Sequence, residues 1–489
     1  MRKTLLLLAA LLWLLAPGQM LADGGKREFR GAWMQCVNGM YLGKSTAEVQ
    51  QMLTRQLDEL EKDGVNAIIF QVRGECDALY ASKIEPWSRY LTGVQGQAPK
   101  PYWDPMSWMI VQCHKRGMEF HAWINPYRAR MKSPTRLAPN HILSLHPERA
   151  FEYGGLYVLN PGLKENRDYI LSVVDDIVSR YDIDGIHIDD YFYPYPDGGR
   201  PIPDDREYQL YNNGIQDRGD WRRYNVNLFI KEMSEHVHRL KPWVKFGVSP
   251  FGIYRNKKSA PIGSDTNGLQ NYDQLYADVL LWVNNGWVDY CVPQLYWQIG
   301  HKLADYDTLI HWWSKHMAAR PLFIGESIEN TVKYPDPANP ATHQMAAKFK
   351  LHRQLPNVQG TVLWYAKVAA EDMGSYGTLL RKVYWSHPAL PPAMPFLDNH
   401  APKKPRKVST VWNEDGYMLF WQSPKSSRWG DEARRYVVYR FGRGERVNLN
   451  DASKIVKITY DPFYRLPYQE GRDKYTYVVT ALDRVGNES

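Results

Sequence analysis

Two adjacent carboxylates near the middle of the chain are, by residue type and spacing, the groups best suited to catalysis. Residues 184–196 form a short β-branched run that ends in Asp189 and Asp190, and an aromatic, proline-bearing loop follows at once. Glycosidic bonds are usually cleaved by one ionised and one protonated carboxyl group, and barrel enzymes carry their catalytic groups at the carboxyl ends of the strands. The alternative is an acidic pair that caps the next helix or lies in a solvated loop. The segment therefore raises the hypothesis of a catalytic site without deciding it.

The alternation of side chains along this run indicates which groups share a face. Ile186 and Ile188 have one parity and suit a helix layer, so His187, Asp189 and Tyr191 are expected to face the axis of a barrel. Polar groups that converge at the ends of several strands favour catalysis over a purely structural role. By the same reasoning, polar and aromatic residues of the other predicted strands should also point into the barrel. They are Gln71, Arg73, Glu75, His121, Trp123, Asn125, Ser249, Gln294 and Tyr296.

Asp189 is the predicted ionised partner, with Arg73 close enough on the barrel rim to favour its charge. A structural ion pair between these two residues is the alternative. Glu326 shares the parity of the aliphatic residues before it, which would turn it outward, and Asp77 could equally fix its own loop. The protonated partner is left open among four candidates: Asp190, Glu75, Asp77 and Glu326.

Amide and aromatic side chains make up most of the predicted substrate-binding set. A buried amide needs several hydrogen-bond partners, which sugars offer, and aromatic rings stack on pyranose faces. The histidines could instead be satisfied core residues, and the two tryptophans could lie in the core. The paired acids lack metal-ligand spacing, so neither metal nor cofactor is expected. The set is Gln71, Arg73, His121, Asn125, His187, Tyr191, Tyr193, Ser249, Gln294, Tyr296, Trp297 and Trp364.

The elements that must position these residues alternate between strand and helix. Eight β-like runs separated by helical stretches predict an α/β fold, a (β/α)8 TIM barrel with enlarged loops. An open doubly wound sheet is disfavoured because no glycine-rich nucleotide loop follows the first run. The predicted strands are 29–35, 67–72, 119–126, 185–192, 245–252, 289–297, 321–327 and 360–366, and the predicted helices include 45–62, 104–116, 166–181, 221–240, 272–285 and 341–354.

The pattern changes to all-β near the end of the chain. Residues 389–407 are rich in proline and lysine and indicate a linker, and strands are predicted at 416–421, 435–441, 455–460 and 475–482. The last of these contains Tyr-x-Val-x-Ala-x-Asp followed by Gly-Asn, which resembles a fibronectin type III domain, a small β-sandwich. The predicted organisation is a leader at 1–22, a barrel at 27–388, a linker at 389–407 and a fibronectin-like domain at 408–489.

Composition and the first residues bear on the compartment. The 489 residues are 44% hydrophobic and carry a formal charge of +8, with the basic residues scattered, so nucleic-acid binding is not expected. The chain begins with basic residues, an apolar run follows, and a candidate cleavage site lies near Ala22. This pattern predicts a signal peptide, with a retained anchor as the alternative. No later stretch predicts a membrane span. The four cysteines are expected to be buried thiols, of which Cys36 and Cys76 could approach each other.

Motifs on six predicted strands, in the right order, resemble the glycosyl-hydrolase-like 10 family. They lie at residues 29–33, 71–80, 121–127, 184–191, 247–252 and 293–297. The resemblance implies an exported bacterial TIM barrel that acts on glycans, with an enterobacterial member implied to cleave peptidoglycan strands that have lost their stem peptides. Gly74-Glu75-Cys76 replaces the Pro-x-Gly of many relatives, so the second loop is expected to differ in shape.

The spacing from Asp184 to Asp189 also resembles the fourth strand of α-amylase-like hydrolases, in which the final Asp is the nucleophile. Residues 246–254 contain no carboxylate where those enzymes carry the general acid. We therefore predict an exported glycoside hydrolase, retaining by carboxylate pair, with a polysaccharide or peptidoglycan glycan as partner. The alternatives are a non-catalytic glycan-binding protein and a surface protein whose barrel is a scaffold.

Overall fold

The computed structural model of the protein describes residues 25–133, 135–426, 430–467 and 475–489. Eight parallel strands close into a barrel in the order in which they follow along the chain, which confirms the predicted TIM barrel. The predicted leader lies outside the described residues, among which no helix is long and apolar enough to cross a membrane. The barrel strands are β1 Phe29–Met34, β2 Ala67–Arg73, β3 Glu119–Ile124, β7 Gly185–Ile188, β8 Lys245–Val248, β9 Tyr290–Cys291, β10 Leu322–Ser327 and β11 Val358–Trp364.

Helices cover the outside of the barrel and begin at recognisable caps. Ser45 and Glu48 form a capping box at the start of the helix Thr46–Lys62, and Gly64 follows its end with a positive φ of 86°. The helices are α1 Thr46–Lys62, α2 Arg89–Thr92, α3 Pro105–Lys115, α4 Ile142–Leu145, α5 Lys164–Arg180, α6 Asp205–Tyr211, α7 Arg218–Leu240, α8 Asn271–Gln274, α9 Val279–Asn284, α10 Tyr306–His316, α11 Ile328–Lys333, α12 Met345–Gln354, α13 Ala366–Ala370 and α14 Tyr376–Leu379.

Each predicted run overlaps a barrel strand, but several strands end early. β9 covers two residues instead of the predicted nine, because Pro293 follows and cannot donate to a strand ladder. β7 stops at Ile188, so Asp189 and Asp190 lie in the loop beyond the strand. The loop after β3 also carries a small antiparallel sheet that the sequence pattern did not reveal, made of β4 Arg128–Met131, β5 Ala150–Tyr153 and β6 Leu156–Leu159.

The barrel interior is filled mainly by aromatic and branched side chains. Phe29 stacks on Phe323 with ring centroids 4.2 Å apart, and Trp33, Trp123 and Tyr290 pack in the same cluster. A larger apolar layer separates the strands from the helices. The cysteines are all buried and free, as expected. A packed interior of this kind leaves functional groups to the carboxyl ends of the strands, here called the mouth.

The C-terminal module, residues 406–489 as far as they are described, consists of two three-stranded antiparallel sheets. It packs beneath the amino-terminal ends of the barrel strands, here called the floor, where Arg484 pairs with Asp182 at 2.8 Å. The assignment to fibronectin type III and the domain boundaries stay predictions. The strands are β12 Arg406–Asn413, β13 Gly416–Gln422, β14 Arg435–Gly442, β15 Ile455–Thr459, β16 Phe463–Arg465 and β17 Tyr475–Leu482.

Candidate active site

Asp189 lies at the mouth directly after β7 and is 5% exposed. Its carboxylate accepts hydrogen bonds from the Asn125 side-chain amide and, at 3.3 Å, from the Trp123 indole and the Tyr191 backbone N–H. Burial raises the pKa of Asp189 to about 7, an effect that Arg128 opposes and Asp190 reinforces. This carboxyl therefore changes its charge near neutral pH.

Asp190, the next residue along the chain, is 2% exposed. It accepts a hydrogen bond from the Tyr195 hydroxyl and another from the Gln294 side-chain nitrogen at 3.1 Å. Burial raises the pKa of Asp190 above its ordinary value, and the two hydrogen bonds limit the rise. The two neighbouring carboxyls thus share a dry, sparsely neutralised site.

Asn125 is held so that its amide nitrogen points at Asp189. Its side-chain oxygen accepts from the Gln71 amide at 2.6 Å and from Arg128. Gln71 is fixed in turn because its oxygen accepts the Cys36 backbone N–H at 2.8 Å. With the oxygen of Asn125 occupied by two donors, only its nitrogen is left for the carboxylate.

The structure corrects the prediction for Arg73. It forms a fully buried ion pair with Glu85 at 2.6 Å and donates to the backbone oxygen of Asn125 at 2.5 Å, beneath the rim. The reason is a register irregularity between Gln71 and Arg73 at the end of β2, which breaks the alternation on which the prediction rested. Arg128 is the cation that acts on Asp189 instead.

The other candidate acids have structural partners of their own. Glu75 pairs with Arg89 at 2.8 Å, and Glu326 pairs with Lys348 at 2.7 Å behind the barrel wall, in line with its outward parity. Asp77 accepts from Gln95 at 3.1 Å, and burial raises the pKa of Asp77 to about 6. Of the four acids, the structure gives Asp190 the place beside Asp189.

His121, His187 and Ser249 lie deeper in the barrel than predicted. Both imidazoles are fully enclosed and bonded to the Tyr290 hydroxyl, at 2.8 Å and 3.1 Å respectively. His187 also meets the Ser249 hydroxyl at 2.9 Å, and burial holds the pKa of His187 well below its usual range. The prediction of direct sugar contact by these side chains is therefore wrong, because polar partners inside the barrel surround them.

Four half-buried aromatic residues flank the carboxylates. Tyr191 stacks on Tyr195 with centroids 5.3 Å apart, and Tyr296 stacks on Trp364 at 6.0 Å. Rings that are partly exposed beside an acid pair offer platforms for pyranose faces. We call Tyr191, Tyr195, Tyr296 and Trp364 the aromatic shelf.

Two aromatic predictions have different outcomes. Tyr193 is completely buried against Tyr276, with centroids 5.1 Å apart, so its predicted substrate contact is wrong; the loop after β7 turns it into the core. Trp297 is half-buried and packs on Phe251 at 5.4 Å, which leaves its role a prediction.

Two residues near Asp189 were missed as site residues. Arg128 contacts Asn125 and lies 5.0 Å from the centroid of the Tyr191 ring, and Trp123 donates to Asp189. Trp123 had the inward parity, and Arg128 comes one residue after the motif at 121–127. Within the described ranges no cluster of three or more His, Cys, Asp or Glu residues is arranged to hold a metal ion.

A closed parallel barrel with a pair of buried carboxyls at its mouth is a TIM barrel that carries the kind of acid pair glycoside hydrolases use. The chain belongs to the Glycosyl hydrolase-like 10 family, whose model matches residues 28–340, so the family prediction is confirmed. It is 38% identical to glycosyl hydrolase YngK of Bacillus subtilis over 481 residues, 95% of this chain and 92% of that protein. It is also 39% identical to glycosyl hydrolase DigH of Escherichia coli over 339 residues, 65% of this chain and 76% of that protein.

Among solved structures, the chain is similar to the catalytic domain of β-amylase from Paenibacillus polymyxa. The TM-score is 0.46 at 12% sequence identity, covering 72% of this chain and 95% of that one.

Proposed function

We propose that the protein is an exported glycoside hydrolase that cleaves O-glycosidic bonds in a polysaccharide or in the glycan strands of peptidoglycan. The observation that carries the proposal is the pair Asp189 and Asp190, both buried at the barrel mouth, both with raised pKa values and both beside the aromatic shelf. Family membership supports action on glycans. Export rests on the predicted signal peptide.

The pair supplies the two protonation states that glycosidic cleavage needs. Burial, reinforced by Asp190, raises the pKa of Asp189 to about 7, and we therefore assign to Asp189 the proton that the pair holds at slightly acidic pH. Asp189 is then the proton donor to the glycosidic oxygen, and Asp190 is the ionised partner at the anomeric carbon. This assignment reverses the sequence-based expectation that Asp189 is ionised.

A retaining outcome is part of the proposal. Asp189 and Asp190 are adjacent residues at one strand end, and Asp190 adds to the raised pKa of Asp189. Retaining enzymes need carboxyl groups only about 5–5.5 Å apart, which neighbouring residues can supply. Tyr195 and Gln294 hold Asp190 from one side while Asn125 and Trp123 hold Asp189 from the other. The held geometry suits a reaction in which neither carboxylate has to move far.

The test is incubation of the mature protein with a glycan panel that includes peptide-stripped peptidoglycan strands, followed by mass spectrometry of new reducing ends. Asp189→Asn should remove the products, whereas Asp168→Asn, in an exposed helix ion pair with Lys164, should not. With the active substrate in hand, kcat/KM, which reports the free enzyme, should fall as the pH rises through about 7, because Asp189 then loses its proton. A rate that rises through this range would return Asp189 to the role of nucleophile.

The burial of both carboxylates, at 5% and 2% exposure, also suits a protein that binds glycans without cleaving them. Retained glycan affinity in wild type and Asp189→Asn, with no reducing ends from either, would select that function.

A further inference from the structure

A chain of hydrogen bonds crosses the barrel interior from the floor to the mouth. It starts in the C-terminal module, passes through the barrel strands β3, β9 and β7, and reaches Ser249 directly after β8. The exposure of its members up to Ser249 is 2% or less. Its links are Arg435 to Glu119 at 2.8 Å, Glu119 to His121 at 3.1 Å, His121 to Tyr290 at 2.8 Å, Tyr290 to His187 at 3.1 Å and His187 to Ser249 at 2.9 Å.

Two glycines make room for this chain. A Cβ atom on Gly247 would lie 1.9 Å from the Tyr290 ring, and one on Gly185 would lie 2.4 Å from Nδ1 of His121. Side chains larger than hydrogen at either position would displace the aromatic or imidazole ring. The polar chain is therefore built into the strands and does not merely fill leftover space.

The charge on Glu119 sets the direction of every hydrogen bond above it. Lys245 and Arg435, each 2.8 Å from Glu119, overcome its burial and lower the pKa of Glu119 to about 2. An ionised carboxylate can only accept, so Nε2 of His121 carries a hydrogen. In a neutral His121, Nδ1 then accepts the Tyr290 hydroxyl proton.

The directions of the hydrogen bonds between Tyr290 and Ser249 follow from the same constraint. The Tyr290 hydroxyl has a single proton, which it gives to His121, so its oxygen accepts from Nδ1–H of His187. Nε2 of His187 is then the acceptor for the Ser249 hydroxyl. The reverse order would require a second proton on His121.

The last links to the mouth run through an amide. The side-chain nitrogen of Gln294 donates to the Ser249 carbonyl oxygen at 2.9 Å and to Asp190 at 3.1 Å, which uses both of its hydrogens. A carbonyl oxygen cannot pass a proton onward, so the chain does not deliver protons to Asp190. What it can do is hold Ser249, and through it Gln294, in place.

We propose that the C-terminal module is a working part of the active site, in which Arg435, through Glu119 and the chain above it, makes Ser249 and Gln294 positioning residues for Asp190. The proposal rests on the proposed function of the Asp189 and Asp190 pair. It differs from a merely stabilising role for the module because it predicts an effect at Asp190, at the opposite end of the barrel.

The first test is NMR of the full-length protein with labelled histidine and aspartate. In wild type we expect His121 protonated on Nε2 and His187 on Nδ1. Tyr290→Phe removes one oxygen and keeps a ring that can stack between Phe323 and His187, yet it should abolish the fixed His187 tautomer. Wild-type tautomers opposite to these would overturn the proposed order.

The second test compares two neighbouring arginines. Arg435→Met should raise the pKa of Asp190, because a displaced Gln294 donates less well, whereas Arg435→Lys should keep it near the wild-type value. Arg434→Met is the matched control, since Arg434 pairs with Asp182, which is about half exposed, and does not touch Glu119. An Asp190 titration identical in Arg435→Met and Arg434→Met overturns the proposal.

The histidine tautomers and the Asp190 titration are measured without substrate. If the wild type cleaves no glycan, the proposed function fails, but these two measurements still test the role of Arg435. With an active substrate, Arg435→Met and Tyr290→Phe should lower kcat roughly tenfold at constant KM, because small misplacements of reacting groups are costly. Equal kcat in Arg435→Met and Arg434→Met would count against the proposal in the same way.

Discussion

The mouth and the floor of this barrel bury their carboxylates almost equally, yet shift the pKa values in opposite directions. At the mouth, the pKa of Asp189 rises to about 7 and that of Asp190 also rises. At the floor, the pKa of Glu119 falls to about 2 and that of Asp184 falls as well. Burial raises all four, so burial alone does not decide the direction.

The difference lies in the cations within reach. Glu119 has Lys245 and Arg435 at 2.8 Å each. Asp184 is bonded to His114 at 2.9 Å and lies near the same two cations. At the mouth, Arg128 bonds to Asn125 and the Gly74 carbonyl and acts on the carboxylates only from a distance. The floor is fully neutralised and stabilises the fold, whereas the mouth keeps carboxyl groups whose protons can move.

The largest expected effect comes from the mouth. Asp190→Asn removes the proposed ionised partner at the anomeric carbon and should lower kcat at least as far as the loss of an acid–base group, about 10²- to 10⁴-fold. The double variant with Asp189→Asn should be no worse than the more damaging single one. We expect both effects on kcat because the two carboxyl groups act together in one reaction. The measurement is steady-state release of reducing ends, with Asp168→Asn as control; activity within a factor of two of wild type would remove Asp190 from the chemistry.

The floor should respond in stability. Glu119→Gln leaves Lys245 and Arg435 buried without their anion, so we expect the free energy of unfolding to fall by about 3–5 kcal/mol. Urea denaturation at neutral pH measures this. Glu59→Gln, which removes an exposed helix ion pair with Lys62, is the matched control and should change stability by less than about 1 kcal/mol. A similar small change for Glu119→Gln would mean that the floor is not electrostatically balanced as described.

The succession of β-like runs and helical stretches predicted the barrel, and the alternation of side chains along the strands predicted much of the mouth, because both patterns are local. Asp189, Asn125 and Gln71 converge as expected, since their strands keep the period of two. Arg73 departs from the prediction at a register irregularity, and Tyr193 at a loop that turns inward. Neither irregularity has a signal in the local pattern.

Long-range pairing was also beyond the reach of the sequence. Glu119 and Arg435 are 316 residues apart, and nothing near either residue announces the other. Lys348 likewise neutralises Glu326, from which it is separated by 22 residues in the sequence. A candidate acid can be proposed from its strand position, but whether it is free or already neutralised depends on cations that only the folded chain brings near.

Asp189 at the mouth and Asp184 at the floor should make the free energy of unfolding depend on pH in opposite directions. The pKa of Asp189 is about 7 in the folded state against an ordinary value of 3.8, so its contribution to stability is present below about pH 4 and is lost as the pH rises towards 7. Asp189→Asn should therefore gain stability relative to wild type over that interval. For Asp184 the folded pKa is lowered, so its contribution is present above about pH 4 and lost in acid.

Asp184→Asn should accordingly cost more stability at pH 6 than at pH 3. Denaturant titrations of the two variants and wild type across pH 3–8 give both slopes. Parallel slopes for Asp189→Asn and Asp184→Asn would contradict the division between mouth and floor.

The smallest expected effect separates two tyrosines of the same loop. Tyr195→Phe removes a donor from Asp190, which should raise the pKa of that carboxyl and lower kcat by about tenfold, the cost of one hydrogen bond to a charged group. Tyr193→Phe removes a buried hydroxyl with no hydrogen-bond partner among the described residues, so kcat should stay unchanged and stability should not fall. Kinetics and urea denaturation of both variants make the comparison. Equal losses of kcat would show that the loop as a whole, and not the contact with Asp190, matters at the mouth.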